Sequence, residues 1–176
     1  MESAVADVRV AGRVTSPLVL GTARLTAGDG WGEPSDPARA RQLAHDAVAA
    51  GYTHIDSADS LGPGTAERIL GEALGGDATV LIATKVGMLR PGPNRWGVLG
   101  HPDYLRQQVY ASRSRLRRER IDLVYLHRID PDYRPEDQLG ALDDLRGEGV
   151  IGHLNVRGQS DFGVRSGAFL EGGGRF

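Results

Sequence analysis

The sequence predicts an α/β fold in which short buried strands alternate with amphipathic helices. Four runs, YTHIDSA, TVLIATKV, IDLVYLHR and VIGHLNV, have the length and β-branched content of strands that are buried on both faces. Segments with helical apolar spacing lie between them. Strands and helices that alternate in this way usually form a parallel sheet with right-handed crossovers.

The N-terminal part predicts one more strand and one more helix. RVAGRVTSPLVLGTARL carries short β-prone runs broken by Gly and Pro, which indicates an opening hairpin or a first strand that ends at Gly21 and Thr22. In SDPARARQLAHDAVAAG, Asp36 is the expected cap and Pro37 the first helical residue. The apolar residues Leu43, Ala47 and Val48 fall on one side of this helix.

Three further helices are predicted in TAERILGEAL, PDYLRQQVYASRSRL and PEDQLGALDDLRGEG, and Pro102 and Pro135 stand where two of them begin. The order is therefore βα four times, followed by a fifth strand. This pattern alone allows either a (β/α) barrel or an open doubly wound sheet. The glycine fingerprint of a dinucleotide-binding open sheet is missing, because GTARLTAGDG does not match it.

Two segments stand apart from the strands and helices. The connection GMLRPGPNRWGVLGHP is long, and long loops of this kind often carry function. Its Trp96 either stacks on an aromatic substrate or anchors the loop. QSDFGVRSGAFLEGGGRF holds five glycines and no apolar periodicity. We therefore expect one domain over residues 1–158 and a Gly-rich C-terminal tail over 159–176.

Composition excludes several classes of function. The 176 residues are 40% hydrophobic and 25% charged, as in an ordinary globular protein, and the net charge of −2 provides no field for nucleic acid or an anionic membrane. The sequence has no cysteine, no metal-ligand spacing of its histidines and no apolar run that would span a bilayer. We expect a cytoplasmic protein without a metal site.

Three ionisable side chains stand at the ends of predicted strands. They are Asp56 in THIDSA, Lys85 in IATKV and His127 in VYLHR. The carboxyl ends of parallel strands lie at one edge of the sheet, where α/β enzymes carry their chemistry. We therefore expect these groups to converge on a shared ligand; the alternative is an ion pair with a hydrogen-bonded histidine.

The same segments resemble the aldo-keto reductases, which are NAD(P)H-dependent carbonyl reductases on a TIM barrel. The resemblance runs from about Gly12 to Val156 and rests on HIDSADSLGPGTAERILGEAL, IATKVG and IDLVYLHRIDPDYRPEDQLGALDDLRGEGVIGHL. It implies a partial (β/α) barrel of TIM type, with about five parallel strands and four helices. It also implies that Asp56, Lys85 and His127 are catalytic.

The resemblance further implies a cofactor side formed by Gly21, Thr22 and Asp56, but the sequence departs from the family at key positions. The catalytic tyrosine of the family falls on Leu61, which we assign with Trp96 to the substrate pocket. The Ser-Asn pair that faces the nicotinamide falls on 157–158, which read Arg-Gly. A full barrel takes about 250 residues, and its later strands commonly hold phosphate. The sequence therefore leaves open whether NADPH binds.

Three functions remain open at this point. The chain is an oxidoreductase of reduced or altered activity on a small carbonyl or hydroxyl substrate, a non-redox enzyme (dehydratase, isomerase or cyclase) that uses Asp56, Lys85 and His127, or a binding relative without catalysis. Five strands do not close a barrel of this type. We therefore expect a homodimer that covers the open edges, or a tail that folds across the opening.

Overall fold

The centre of the structure is a sheet of five parallel strands. The computed structural model describes residues 7–28 and 30–156. In spatial order the strands of this sheet are β3 (Val19–Gly21), β4 (His54–Asp56), β5 (Leu81–Val86), β8 (Ile121–Leu126) and β9 (Ile151–Val156). Every neighbouring pair is parallel, so the carboxyl ends of all five strands lie at one edge.

Four helices connect these strands in turn: α1 (Pro37–Ala49), α2 (Thr65–Leu74), α3 (Pro102–Leu116) and α4 (Pro135–Gly147). The spatial order of the strands follows the chain without the reversal that defines a doubly wound sheet. Of the two architectures that the sequence allowed, the partial (β/α) barrel with five strands and four helices is therefore confirmed.

The helix starts agree with the predicted caps. The Asp36 carboxylate accepts a hydrogen bond from the Arg39 N–H at 2.9 Å, and Pro37 follows as the first residue of α1. Of the apolar residues that the sequence placed on one side of α1, Ala47 is buried and Val48 packs against the core, whereas Leu43 is 38% exposed. Small residues form the buried side of α1 instead, and they allow the helix to approach its neighbours closely: Ala40, Ala44 and Ala47.

The core has two parts, one on each face of the sheet. The larger part fills the space between the sheet and the helices, and its fully buried members include Ile55, Ile82 and Val124. The smaller part lies on the other face and contains Leu81 and Leu123. This second face is the interior side of a barrel.

A short antiparallel hairpin covers the amino end of that interior face. It consists of β1 (Val8–Val10) and β2 (Arg13–Thr15), and Ala11 between them belongs to the smaller core cluster. The opening hairpin and the strand ending at Gly21 are therefore both present. The sequence indicated the hairpin and this strand only as alternatives.

A second hairpin lies in the long connection after β5, where the sequence predicted only a loop. It pairs β6 (Met88–Gly92) with β7 (Arg95–Val98), and Asn94 has a φ of 55° in the turn between them. The Pro and Gly residues of GMLRPGPNRWGVLGHP concealed these strands. The predicted tail over 159–176 and the departure at 157–158 lie outside the described residues.

None of the helices in the described ranges is long and apolar enough to cross a membrane.

Candidate active site

The carboxyl ends of three neighbouring strands bring the predicted ionisable groups together. Asp56 is the last residue of β4, Lys85 the last but one of β5, and His127 follows β8 directly. The Lys85 ammonium group donates to the Asp56 carboxylate and, at 2.7 Å, to the Ser57 carbonyl oxygen. The backbone N–H of His127 donates to the Val86 carbonyl oxygen at 2.8 Å, which continues the pairing between β5 and β8.

These groups line one cavity of about 260 Å³ at that edge of the sheet. All the residues that the sequence assigned to catalysis, cofactor and substrate pocket are part of its wall: Gly21, Thr22, Asp56, Leu61, Lys85, Trp96 and His127. The predicted convergence is therefore present as geometry. The chemical role of each residue stays a prediction.

Lys85 is buried at 5% exposure, and its charge is compensated on two sides. The Asp56 carboxylate lies on one side, and the Tyr125 ring lies on another, with its centroid 5.7 Å from the Lys85 Nζ atom. A buried ammonium group requires such compensation, because an unpaired charge away from water is costly. The chain contains no other lysine.

Leu61 lies in the turn that leads into α2. Its N–H donates to the Ala58 carbonyl oxygen, and its own carbonyl oxygen accepts from the Ala66 N–H, each at 3.2 Å. The side chain is half-buried and lines the cavity with Lys85 and His127. It contributes an apolar wall and no exchangeable proton.

The two predicted cofactor residues at the end of β3, Gly21 and the following Thr22, have different surroundings. No atom lies within 4 Å of the position that a Cβ on Gly21 would take, so the backbone there is open to a ligand. Thr22 is 1% exposed, its N–H donates to the Asp56 carbonyl oxygen at 3.1 Å, and its hydroxyl lies 3.0 Å from the Ser57 Oγ. The Thr22 hydroxyl thus fixes β3 to β4.

His54 lies on the interior face of the sheet and is buried. Neither ring nitrogen has a hydrogen-bond partner among the described residues. Burial lowers the pKa of His54, and the nearby Asp56 opposes this effect. A second cavity of about 370 Å³ is lined by His54, Asp56, Lys85 and Tyr125. The Asp56–Lys85 pair therefore lines both this cavity and the one that contains Leu61 and His127.

A buried polar cluster behind β5 was missed at the level of sequence. Glu67 on α2 has no exposed surface, and it accepts from the Thr84 hydroxyl at 2.5 Å and from the Arg115 Nε at 2.7 Å. Burial, followed by the charge of Glu67, raises the pKa of Asp59 well above its usual range. The sequence does contain one indication that Glu67 is buried, because this residue falls on the apolar side of α2 with Leu70.

Other possible sites in the described residues carry less chemistry. No group of three or more His, Asp or Glu residues is placed there to hold a metal ion. A larger cavity of about 580 Å³ lies between Arg24 and Leu43, and it contains none of Asp56, Lys85 and His127. We therefore place the candidate active site at the smaller cavity, where the ionisable groups converge.

Comparison with known proteins agrees with this geometry. The profile of the aldo/keto reductase family matches residues 17–165. An uncharacterised oxidoreductase of Schizosaccharomyces pombe is 39% identical over 150 residues, which cover 85% of this chain and 49% of the relative.

Two solved structures show the same arrangement of strands and helices. The holo form of an aldo-keto reductase from Bacillus halodurans superimposes with a TM-score of 0.74 at 26% identity, over 86% of this chain and 49% of that one. A glycerol dehydrogenase from Gluconobacter oxydans superimposes with a TM-score of 0.77 at 28% identity, over 85% of this chain and 47% of that one. The chain spans about half the length of these relatives.

Proposed function

The chain belongs to the aldo/keto reductase family, and we propose that it is an NAD(P)H-dependent oxidoreductase of small carbonyl or hydroxyl compounds with reduced or altered activity. The observation that supports this proposal best is the Asp56–Lys85 ion pair, which lies with His127 around one cavity. Three such groups at the ends of adjacent parallel strands are the arrangement expected of an active site.

The residues present fit the nicotinamide end of the cofactor. Gly21 leaves its side of the cavity open, and Asp56 and Thr22 lie beside it, so these three residues would hold the ring. The bound dihydronicotinamide supplies a hydride to the carbonyl carbon.

Proton transfer is the step that Leu61 alters. In place of a phenol, we assign proton donation to the carbonyl oxygen to the His127 imidazole, which lies on the cavity wall. The Lys85 ammonium group, fixed by Asp56 and the Ser57 carbonyl oxygen, stabilises the negative charge that develops on that oxygen. Loss of a positioned general acid typically costs about 10²- to 10⁴-fold in rate.

We include two further features in this proposal. The first is a homodimer that covers the open side of the sheet, because β3 and β9 each have only one partner strand among the described residues. The second is a cytoplasmic location, which the absence of cysteine favours.

Titration of the chain with NADPH, followed by cofactor fluorescence or calorimetry, tests the proposal. We expect saturable binding that is weakened by Lys85→Ala and unchanged by His45→Ala, since His45 is an exposed residue of α1. A chain that does not bind NADPH up to millimolar concentrations is not an oxidoreductase of this type. If NADPH does not bind, the non-redox enzyme is tested next. Product formation that is unchanged in Lys85→Ala and in His127→Ala excludes an enzyme that uses these residues.

A further inference from the structure

Arg90 on β6 carries a buried guanidinium group that lies against the two tryptophans of the chain. Its Cζ atom is 3.8 Å from the centroid of the Trp96 ring and 5.5 Å from that of Trp31. Its Nη1 donates to the Gly30 carbonyl oxygen at 3.2 Å and contacts the Ser60 carbonyl oxygen at 3.5 Å. The residue is 7% exposed.

The charge of Arg90 has no counter-ion in the part of the chain that the structure describes. No carboxylate there forms an ion pair with it, although Arg115 and Arg68 each contact an acid. The Nε and Nη2 atoms of Arg90 are buried without a hydrogen-bond partner among the described residues. Stacking on tryptophan stabilises a cation, but it does not satisfy these N–H donors.

The two unpartnered donors belong to the same edge of the planar guanidinium group. This edge offers two parallel N–H groups, which match the two oxygens of a carboxylate or a phosphate. Arginine is the residue best suited to such bidentate contacts, because its donors have a fixed geometry. The unpartnered edge of Arg90 therefore has the hydrogen-bonding chemistry that an anion requires.

Arg90 lies immediately behind the wall of the candidate active site. Ser60 and Trp96, which both contact Arg90, also line the cavity that contains Leu61 and Lys85. A ligand in that cavity would therefore contact residues that also contact the Arg90 guanidinium group.

We propose that Arg90 is the anion-recognition residue of this site, and that the ligand of the cavity is a small carbonyl or hydroxyl compound with a carboxylate or phosphate group. The reactivity of that compound rests on the proposed oxidoreductase function. The binding of the anion does not.

Access to Arg90 requires a neighbouring side chain to move, because its unpartnered atoms are shielded from solvent. Trp96 is the exposed neighbour, with 51% of its surface accessible on the β6–β7 hairpin. Movement of the Trp96 ring would change the packing around the guanidinium group, and a bound anion would supply the missing hydrogen-bond acceptors. Both tryptophans of the chain contact Arg90, so their fluorescence reports on this event.

The experiment is a fluorescence titration of the full chain with sodium acetate, sodium phosphate and sodium chloride at equal ionic strength. We expect a saturable change in tryptophan fluorescence with acetate or phosphate and none with chloride. A response to acetate indicates a carboxylate site, and a response to phosphate indicates a phosphate site. Pyruvate and its uncharged methyl ester extend the test to carbonyl compounds. Pyruvate is expected to bind through its carboxylate, and methyl pyruvate is not. Equal responses to all three salts, or equal binding of acid and ester, overturn the proposal.

Matched variants assign the response to Arg90. Arg90→Gln is expected to weaken anion binding by about tenfold or more, because it removes a charge-assisted hydrogen-bonding group. Arg95→Gln removes the same charge from an exposed position on β7 and should leave binding unchanged. Arg90→Lys keeps the charge without the paired donors, and we expect it to fold, as judged by circular dichroism, and to bind weakly. Wild-type affinity in Arg90→Lys and Arg90→Gln assigns the anion to another site and contradicts the proposal.

Discussion

Leu61 shares the wall of the candidate active site with Lys85 and His127, yet its side chain has no polar atom. Its backbone hydrogen bonds belong to the turn before α2 and do not depend on the identity of the side chain. Replacement of this side chain therefore changes the chemistry of the cavity and leaves the local fold in place. This separation makes position 61 a direct test of how much of the site is assembled.

We predict that Leu61→Tyr increases carbonyl reduction by about 10²-fold or more, because a phenol beside a buried ammonium group is a positioned general acid. The measurement is the oxidation of NADPH with a small aldehyde. Leu43→Tyr, at an exposed leucine on α1, is the matched control and should have no effect. A Leu61→Tyr variant that binds NADPH and gains no activity would show that the other groups are not placed for reduction.

Asp59 is a second residue whose position has consequences that can be measured. Its side chain is 5% exposed, and its Oδ1 atom has no partner among the described residues. Because burial and the charge of Glu67 raise its pKa, the folded state holds the Asp59 proton more tightly than the unfolded state does. Its contribution to stability is therefore largest below the unfolded pKa of 3.8 and is lost as the pH rises through the higher folded pKa.

We predict that Asp59→Asn is more stable than the wild type at pH 7 by about 1 kcal/mol or more, since each unit of pKa shift is worth about 1.4 kcal/mol. The advantage should shrink as the pH falls toward 4. Thermal unfolding across this range measures it, with Asp137→Asn at an exposed position of α4 as the control. An advantage that is the same at every pH would mean that folding does not change the pKa of the Asp59 carboxyl group.

At the scale of elements, the sequence determined the helices more closely than the strands and loops. Proline at the first helical position fixed the start of α3 at Pro102 and of α4 at Pro135. The strand ends placed Asp56, Lys85 and His127 correctly, because parallel strands share one edge. The β6–β7 hairpin escaped prediction, since its Pro and Gly residues are also typical of irregular loops.

The charged residues behind the active site escaped prediction for a different reason. Arg90 is buried because elements distant in the chain cover it, and no local pattern encodes such contacts. Glu67 offered only its place on the apolar side of α2, which does not reveal its partners. Asp59 likewise resembles an ordinary loop aspartate until Glu67 and Arg115 are brought beside it. Electrostatic features of this kind follow from tertiary packing, so they become visible only with the fold.

The contact between α2 and α3 depends on a glycine. A Cβ added to Gly71 on α2 would lie 2.0 Å from the Arg115 carbonyl oxygen, which is closer than any real contact. The helices approach each other at this point, and the backbone atoms have no room to give way. Gly140 on α4 is the opposite case, because no atom lies within 4 Å of its Cβ position.

We predict that Gly71→Ala destabilises the chain by about 2 kcal/mol or more, through overpacking of the α2–α3 contact. Gly140→Ala should stabilise it by about 0.5–1 kcal/mol, because alanine has the higher helix propensity. Chemical denaturation of the two variants measures both values. Similar effects of the two substitutions would contradict the close approach of α2 and α3.

For the molecule as a whole, the open side of the sheet is its least satisfied surface. In the described residues, β3 and β9 each pair with one neighbour only, so each has an outer edge of unpaired backbone groups. Val19 on β3 is 45% exposed and borders the interior cavity with His54 and Tyr125. Exposed apolar side chains beside an unpaired strand edge favour association with another strand.

We therefore predict that the chain forms a dimer through β3, and that Val19→Arg weakens this dimer by about tenfold or more, because a charge at an apolar contact must be desolvated. Size-exclusion chromatography with light scattering over a range of concentrations measures the association. Val14→Arg, at a valine that is 60% exposed on the N-terminal hairpin, is the matched control and should leave the dimer intact. A chain that is monomeric at every concentration, and whose stability does not change in Val19→Arg, would show that the open side is not a contact between copies.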